Sequence, residues 1–371
     1  MSDPFLRCAA CDRAYALSDP VWRCACGGLL DAVAAPLLDP AAVGHRPPTL
    51  WRYREAMAVL GEPVTFGEGM TPLVRVPDPR AEVFYKLDYL FPSGSFKDRG
   101  AAALITHVRS LGVRRVVEDS SGNAGAAVAA YCARAGVACD IYAPASASRG
   151  KLAQIAACGA ALHPIPGTRE AVAAAALKAA GAGYYASHSY NPFFFQGTKT
   201  FAFEVCEQLG WRSPDALVLP AGNGTLLLGA YLGFSDLRAG GVIDRLPRLI
   251  AGQAEACAPV CEAFRQGLKA PVKVEKRETL AEGIAVAEPV RGGQMLKAVR
   301  ETEGRMLAVP EEGTLKALRR AWRAGVYIEP TSAVALAAAE QWLDENPGGT
   351  VVVALTGSGL KATERIVQLL N

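Results

Sequence analysis

The chain has 371 residues, 51% of them hydrophobic, and its 39 basic and 36 acidic residues leave a net charge of +3. Those charges are interspersed along the chain, which excludes the basic stripe of a nucleic-acid binder. No apolar run approaches the ~18 residues of a membrane span, and the opening MSDPFLRCAACDR has no apolar leader core, so a cytoplasmic protein of two or more domains is expected.

Cytoplasmic thiols stay reduced, so the ten cysteines need a reason other than disulfides. Cys8, Cys11, Cys24 and Cys26 form C-x2-C, a twelve-residue gap and C-x-C. Four thiolates at paired close spacing can surround one tetrahedral Zn2+, with Gly27 and Gly28 permitting a tight second knuckle. Residues 1–35 are therefore expected to form a zinc-ribbon-like element, the alternative being a small ribbon without metal. A closed four-thiolate site has no open position, so such a metal is structural. Cys132, Cys139, Cys158, Cys206, Cys257 and Cys261 lie in apolar text and are expected in the core.

Residues 32–65 read as a proline-rich connection carrying a short helix around WRYREAMAVLG. Strand-like runs follow: EVFYKL (82–87), RRVVED (114–119), ACDIYAP (138–144), AALHPI (160–165), DALVLPA (215–221), RLIAGQ (248–253) and GTVVVALTG (349–357). Alanine-rich helical patterns such as GNAGAAVAAYCARAG alternate with them. That alternation predicts an α/β fold with parallel sheets covered by helices. Longer connections near 182–200 and 267–300 predict two lobes rather than one.

In open parallel sheets, ligands collect where strands feed helix N-termini. FPSGSFKDRG (91–100) places turn-forming and N-cap types ahead of Lys97, which opens the helical pattern DRGAAALITHVRSLG. At a helix's first turn the macrodipole and the unpaired N–H groups disfavour a cation, which suits a nucleophilic amine. EDSSGNAG ends a strand at Ser120, Ser121, Gly122 and Asn123, a carboxylate- or phosphate-sized turn. LPAGNGT puts Gly222, Asn223, Gly224 and Thr225 before an apolar helix, without matching either nucleotide-loop pattern. Thr356 emerges from the last strand with a neutral hydroxyl. Each turn alone is equally a packing or capping feature. Together, an anion site and a reactive lysine point to pyridoxal 5'-phosphate, whose aldehyde forms a Schiff base with lysine. On that reading Lys97 takes the aldehyde and Gly222–Thr225 the phosphate, while Asn123 meets the ring hydroxyl and Thr356 the ring nitrogen.

PSGSFKDRG, SSGNAG, PAGNGT, EPTSA and LTGSGLK, in that order, resemble the fold type II (tryptophan-synthase-β-like) pyridoxal-phosphate enzymes. The lysine stretch, NPFFFQGTKTFAFEVCEQLG and the cysteine-paired N-terminus are most similar to the threonine synthases, over about residues 8 to 365. The resemblance implies a two-lobed enzyme with a large cofactor domain over 36–100 and 196–371 and a small mobile domain over 101–195, and a homodimer. It implies conversion of O-phospho-L-homoserine and water to L-threonine and phosphate, with Ser120, Ser121 and Gly122 holding the substrate carboxylate. Arg149 and Lys151, in SASRGKLAQ, are the candidate cations for the substrate phosphate, or else solvated charges at a helix end. His188, Glu282 and Glu329 are weaker candidates. His188 is expected to be a packed or surface residue rather than a ligand.

The chain departs from the family pattern at Ser93, where threonine is usual, at Phe91, where asparagine is usual, and at Ser358 and Ala362 in place of histidine and aspartate. These departures leave open a related lyase or β-replacement enzyme, such as a threonine/serine dehydratase or a cysteate-synthase-like enzyme. A ribbon-bearing nucleic-acid- or protein-binding module is a further alternative, against which the balanced charge argues.

Overall fold

The computed structural model describes residues 3–35, 38–147, 149–167 and 169–370. Among the described residues thirteen strands run in chain order: β1 (Phe5–Cys8), β2 (Ala14–Ala16), β3 (Leu30–Val33), β4 (Leu73–Val76), β5 (Glu82–Lys86), β6 (Arg115–Glu118) and β7 (Ala138–Pro144), then β8 (Ala161–Ile165), β9 (Tyr184–Tyr185), β10 (Ala216–Pro220), β11 (Arg248–Ala254), β12 (Arg305–Val309) and β13 (Thr350–Ala354). The chain divides into two compact units, Met1–Gly69 with Lys97–Thr200, and Met70–Phe96 with Phe201–Asn371. Among the described residues no helix is long and apolar enough to cross a membrane.

The first unit holds a three-stranded antiparallel sheet in the order β2-β1-β3 and a four-stranded parallel sheet in the order β8-β7-β6-β9. The helices Lys97–Ser110 and Asn123–Ala135 pack on each other, and the latter packs on β7. Helix Lys97–Ser110 is buried on nearly every side, because its AAALI core has no polar face to offer water. Residues 36–69, assigned from sequence to the cofactor domain, belong to this unit. Leu50, Met57, Ala58, Val59 and Val64 share one apolar cluster with Leu6, Leu30, Ala101, Leu104 and Ile105. Side chains of the helical segments complete the attachment: Val64 N–H donates to Thr106 Oγ1 at 2.8 Å and Ala58 N–H to Gln196 Oε1 at 2.9 Å. The short helix read around WRYREAMAVLG is a 3₁₀ helix, Leu50–Ala56, broken at Tyr53.

The second unit is built on a six-stranded sheet in the order β12-β11-β10-β13-β5-β4, parallel except for β4, which runs antiparallel to β5. ALVLP in β10 is buried at every position and TVVVA in β13 at all but its first. Continuous apolar runs of this kind fit strands covered on both faces. Helix Pro330–Glu345 lies against β10 and β11. Lys86, fully buried at the end of β5, gives its three ammonium protons to Glu204 Oε2 at 2.8 Å, Gln208 Oε1 at 2.8 Å and Thr71 O at 2.6 Å. That full set of partners is what a buried ammonium requires.

Candidate active site

Lys97 is the first residue of the helix Lys97–Ser110, as its position after the turn predicts. Two glycines set that start. A Cβ on Gly100 would lie 2.2 Å from the Phe194 ring, and one on Gly197 would lie 1.9 Å from Arg99 O. The lysine helix and the helix Pro192–Thr198 therefore meet backbone to ring and backbone to backbone, which no side chain at either glycine allows. Lys97 Nζ lies 5.7 Å from the centre of the Phe194 ring. Arg99, fully buried, donates to Thr200 Oγ1 at 3.1 Å and braces the same turn.

In the same unit β6 runs into Ser120–Gly122 and the helix Asn123–Ala135. Gly122 caps that helix with no side-chain hydrogen bond, and Gly122 N–H donates to Ser120 Oγ at 3.3 Å. Asn123 is thus the first helical residue. Arg149 and Lys151 fall in the first turn of the helix Arg149–Ala157, but their side chains lie outside the described residues.

In the second unit, neighbouring parallel strands β10 and β13 deliver the other two turns at their carboxyl ends, where open sheets bind ligands. Gly224 caps the fifteen-residue helix Thr225–Ala239 at φ 76°, again with no side-chain hydrogen bond. A Cβ there would meet Met295 Sδ at 2.5 Å, so only glycine fits this approach to the helix. An uncapped N-terminus with glycine at its approach fits a phosphate group.

Thr356 is buried and held from behind by Ser332. Ser332 Oγ accepts from Thr356 N at 2.9 Å and from Gly357 N at 3.0 Å, and lies 3.1 Å from Thr356 Oγ1. Residues 93–96 run antiparallel to this loop. Ser95 bridges Gly357, Phe96 N–H donates to Thr356 O at 2.9 Å, and Ser358 N–H donates to Gly94 O at 2.9 Å. Lys361 Nζ adds a hydrogen bond to Ser93 O at 2.8 Å. Glu329 precedes the helix Pro330–Glu345 without a side-chain cap, and its N–H donates to Gly357 O at 3.0 Å. Glu282 opens a single 3₁₀ turn, Glu282–Ile284.

Sequence reasoning passed over two residues. Ser332 lies inside EPTSA, where a hydroxyl behind a proline-started helix was the available signal. Glu118 is the other: an acidic residue ending the apolar strand RVVE is fully buried in the structure. His188 is buried, as expected of a packed histidine, and it is also bound to Glu118, with Nδ1 2.7 Å from Glu118 Oε1.

At the N-terminus the Sγ atoms of Cys8 and Cys26 lie 3.6 Å apart, as do those of Cys11 and Cys24, and one ligand atom from each cysteine lies within 4.8 Å of the others. Tetrahedral zinc with Zn–S bonds of about 2.3 Å sets sulfur–sulfur edges of about 3.8 Å. The four sulfurs fit. Ala10 N–H and Gly28 N–H point at Cys8 Sγ and Cys26 Sγ, both at 3.4 Å, the knuckle arrangement that supports thiolates. A hydrogen bond from Tyr15 Oη, 3.1 Å away, lowers the pKa of the Cys24 thiol, while the neighbouring thiols raise that of Cys11.

Residues 64–357 match the family model described as pyridoxal-phosphate dependent enzyme. A threonine synthase of Methanocaldococcus jannaschii is 33% identical over 98% of this chain and 94% of its own length. The threonine synthase of Mycobacterium leprae is 35% identical over 85% of this chain and 89% of its own. Among solved structures, a threonine deaminase from Solanum lycopersicum superposes with a TM-score of 0.70 at 20% identity, covering 81% of this chain and 83% of that one. An L-serine ammonia-lyase from Rhizomucor miehei superposes with a TM-score of 0.71 at 24% identity, covering 81% of this chain and 97% of that one. At those identities the structural matches bear on the fold alone.

Proposed function

The chain belongs to the pyridoxal-phosphate dependent enzymes and, within them, to the threonine synthases; from that premise we propose that it converts O-phospho-L-homoserine and water to L-threonine and phosphate, with Lys97 as the covalent anchor of the cofactor. The observation that carries the reading is a lysine opening a helix in a chain that is 33% identical to a threonine synthase over 98% of its length.

Pyridoxal 5'-phosphate supplies an aldehyde that takes up the substrate amine and a ring that draws electron density from its Cα. Lys97 Nζ, at a helix's first turn, would accept the Cα proton once the substrate amine has displaced it. The backbone N–H groups at Gly222–Thr225 would receive the cofactor phosphate, since a helix N-terminus favours negative charge. Asn123 would donate to the ring hydroxyl, and Thr356 would hydrogen-bond the ring nitrogen without adding a charge beside it. Ser120, Ser121 and Gly122 would hold the substrate carboxylate, with Arg149 and Lys151 as the cations for its phosphate.

The test is product analysis of the cofactor-loaded protein with O-phospho-L-homoserine. Threonine and phosphate in equal amounts are expected. Deamination of serine or threonine, with no phosphate released, would move the chain to the dehydratases and leave the cofactor reading standing.

The reading also includes structural Zn2+ on Cys8, Cys11, Cys24 and Cys26, and a cytoplasmic homodimer as in the family. Elemental analysis is expected to find one zinc per chain, and Cys8→Ser to lose it, since Cys8 is buried between Ala10 N–H and Cys26 Sγ. Zinc retained in full by that variant would place the metal elsewhere.

A further inference from the structure

The turn ahead of Lys97 is held through its backbone. Gly94 N–H donates to Phe91 O at 2.7 Å, Ser358 N–H to Gly94 O at 2.9 Å and Phe96 N–H to Thr356 O at 2.9 Å. The last two bonds flank the bridge between Ser95 and Gly357, which makes it the narrow pair of an antiparallel ladder, where facing residues come closest. Gly357 brings no side chain to that pair. A Cβ on it would lie 2.3 Å from Glu329 Cδ, so the position admits glycine alone.

Ser95 is 0% exposed, and among the described residues its Oγ makes no hydrogen bond. Buried side-chain polar atoms almost always have a partner. The neighbouring hydroxyls do: Ser332 Oγ accepts from Thr356 N and Gly357 N, Thr356 Oγ1 lies 3.1 Å from Ser332 Oγ, and Ser358 Oγ accepts from Leu360 N at 3.3 Å. Ser95 differs from them in its place. It stands two residues before Lys97, and across the bridge it faces the residue that follows Thr356.

We propose that Ser95 is a cofactor-binding residue, its hydroxyl donating one hydrogen bond to bound pyridoxal phosphate at the end that Lys97 anchors. The inference rests on the cofactor reading above and on no particular substrate. It has a thermodynamic signature. In the cofactor-free chain the hydroxyl has lost water and gained no partner, so its removal costs nothing and relieves an unmade bond. In the loaded protein the same removal breaks a bond. A serine paired within the chain would instead lose stability in both states, as expected of Ser332.

Cofactor is titrated into the dialysed, full-length protein while the visible absorbance per chain is followed, and urea midpoints are measured with and without it. Ser95→Ala is expected to bind cofactor about tenfold more weakly, the equivalent of one hydrogen bond, while its cofactor-free midpoint equals or exceeds that of the wild type. Ser95→Cys keeps the bulk, lacks a strong donor and is expected to follow the alanine variant. Ser332→Ala supplies the contrast, with a lowered midpoint in both states. Cofactor affinity within about twofold of wild type in both Ser95 variants overturns the proposal and leaves Ser95 an unpaired core hydroxyl. A lowered cofactor-free midpoint in Ser95→Ala overturns it as well, because it places the partner of the hydroxyl within the chain. A wild-type protein that takes up no cofactor overturns the cofactor reading itself, and this inference with it, before any variant is compared.

Discussion

Lys97→Ala is expected to reduce threonine formation by about 10²–10⁴-fold or more, because it removes both the covalent anchor and the group that accepts the Cα proton. The same variant is expected to lose the visible absorbance of lysine-bound cofactor while its urea midpoint stays near wild type. The helix behind Lys97 is anchored by Gly100 against Phe194 and by Arg99 on Thr200. Rate loss with an intact fold is therefore the signature of the assignment. An unchanged visible band in the alanine variant would sink it.

Ser332→Ala is the second change with a large expected effect. The substitution strands two N–H groups, of Thr356 and Gly357, that donate to Ser332 Oγ in the interior of the second unit. A buried donor left unmade costs about 1–3 kcal/mol. A drop in unfolding free energy of that size for each group is expected, together with weaker cofactor retention, since the Thr356 backbone is held from behind by this one hydroxyl. Ser332→Thr restores a hydroxyl and is expected to recover part of both. Full stability and full cofactor occupancy in Ser332→Ala would show that the loop is held without it.

The seven strands visible as β-branched or apolar runs are all present within a residue or a few, because parallel strands buried on both faces leave long apolar text. β4 and β12 were not legible. They lie at the two edges of the six-stranded sheet, and LVRV and RMLAV are only partly buried. The start of the lysine helix was legible because its turn chemistry is local. The cysteine spacing was legible for the same reason, each pair lying within one knuckle. Ser332 and Glu118 were not, since their roles rest on partners far along the chain. Ser332 meets Thr356 across 24 residues, and Glu118 meets His188 across 70. Residues 38–69 cluster with the first unit, and a proline-rich text states nothing about which helix its few apolar residues will cover.

The pairing of residues 93–96 with the Thr356–Ser358 loop has a consequence for synthesis of the chain. Lys361 reaches Ser93 across 268 residues, and β5 takes its parallel neighbour from β13, near the other end of the sequence. Such distant pairings are slow to form, and nothing local substitutes for them. A growing polypeptide that has emerged only as far as β12 lacks both the strand beside β5 and the loop that fixes the residue before Lys97. Translation must be nearly finished before the lysine turn takes its final form. A premature stop upstream of β13 thus yields a chain that carries Lys97 without the strand beside β5 and without the loop bonded to Phe96.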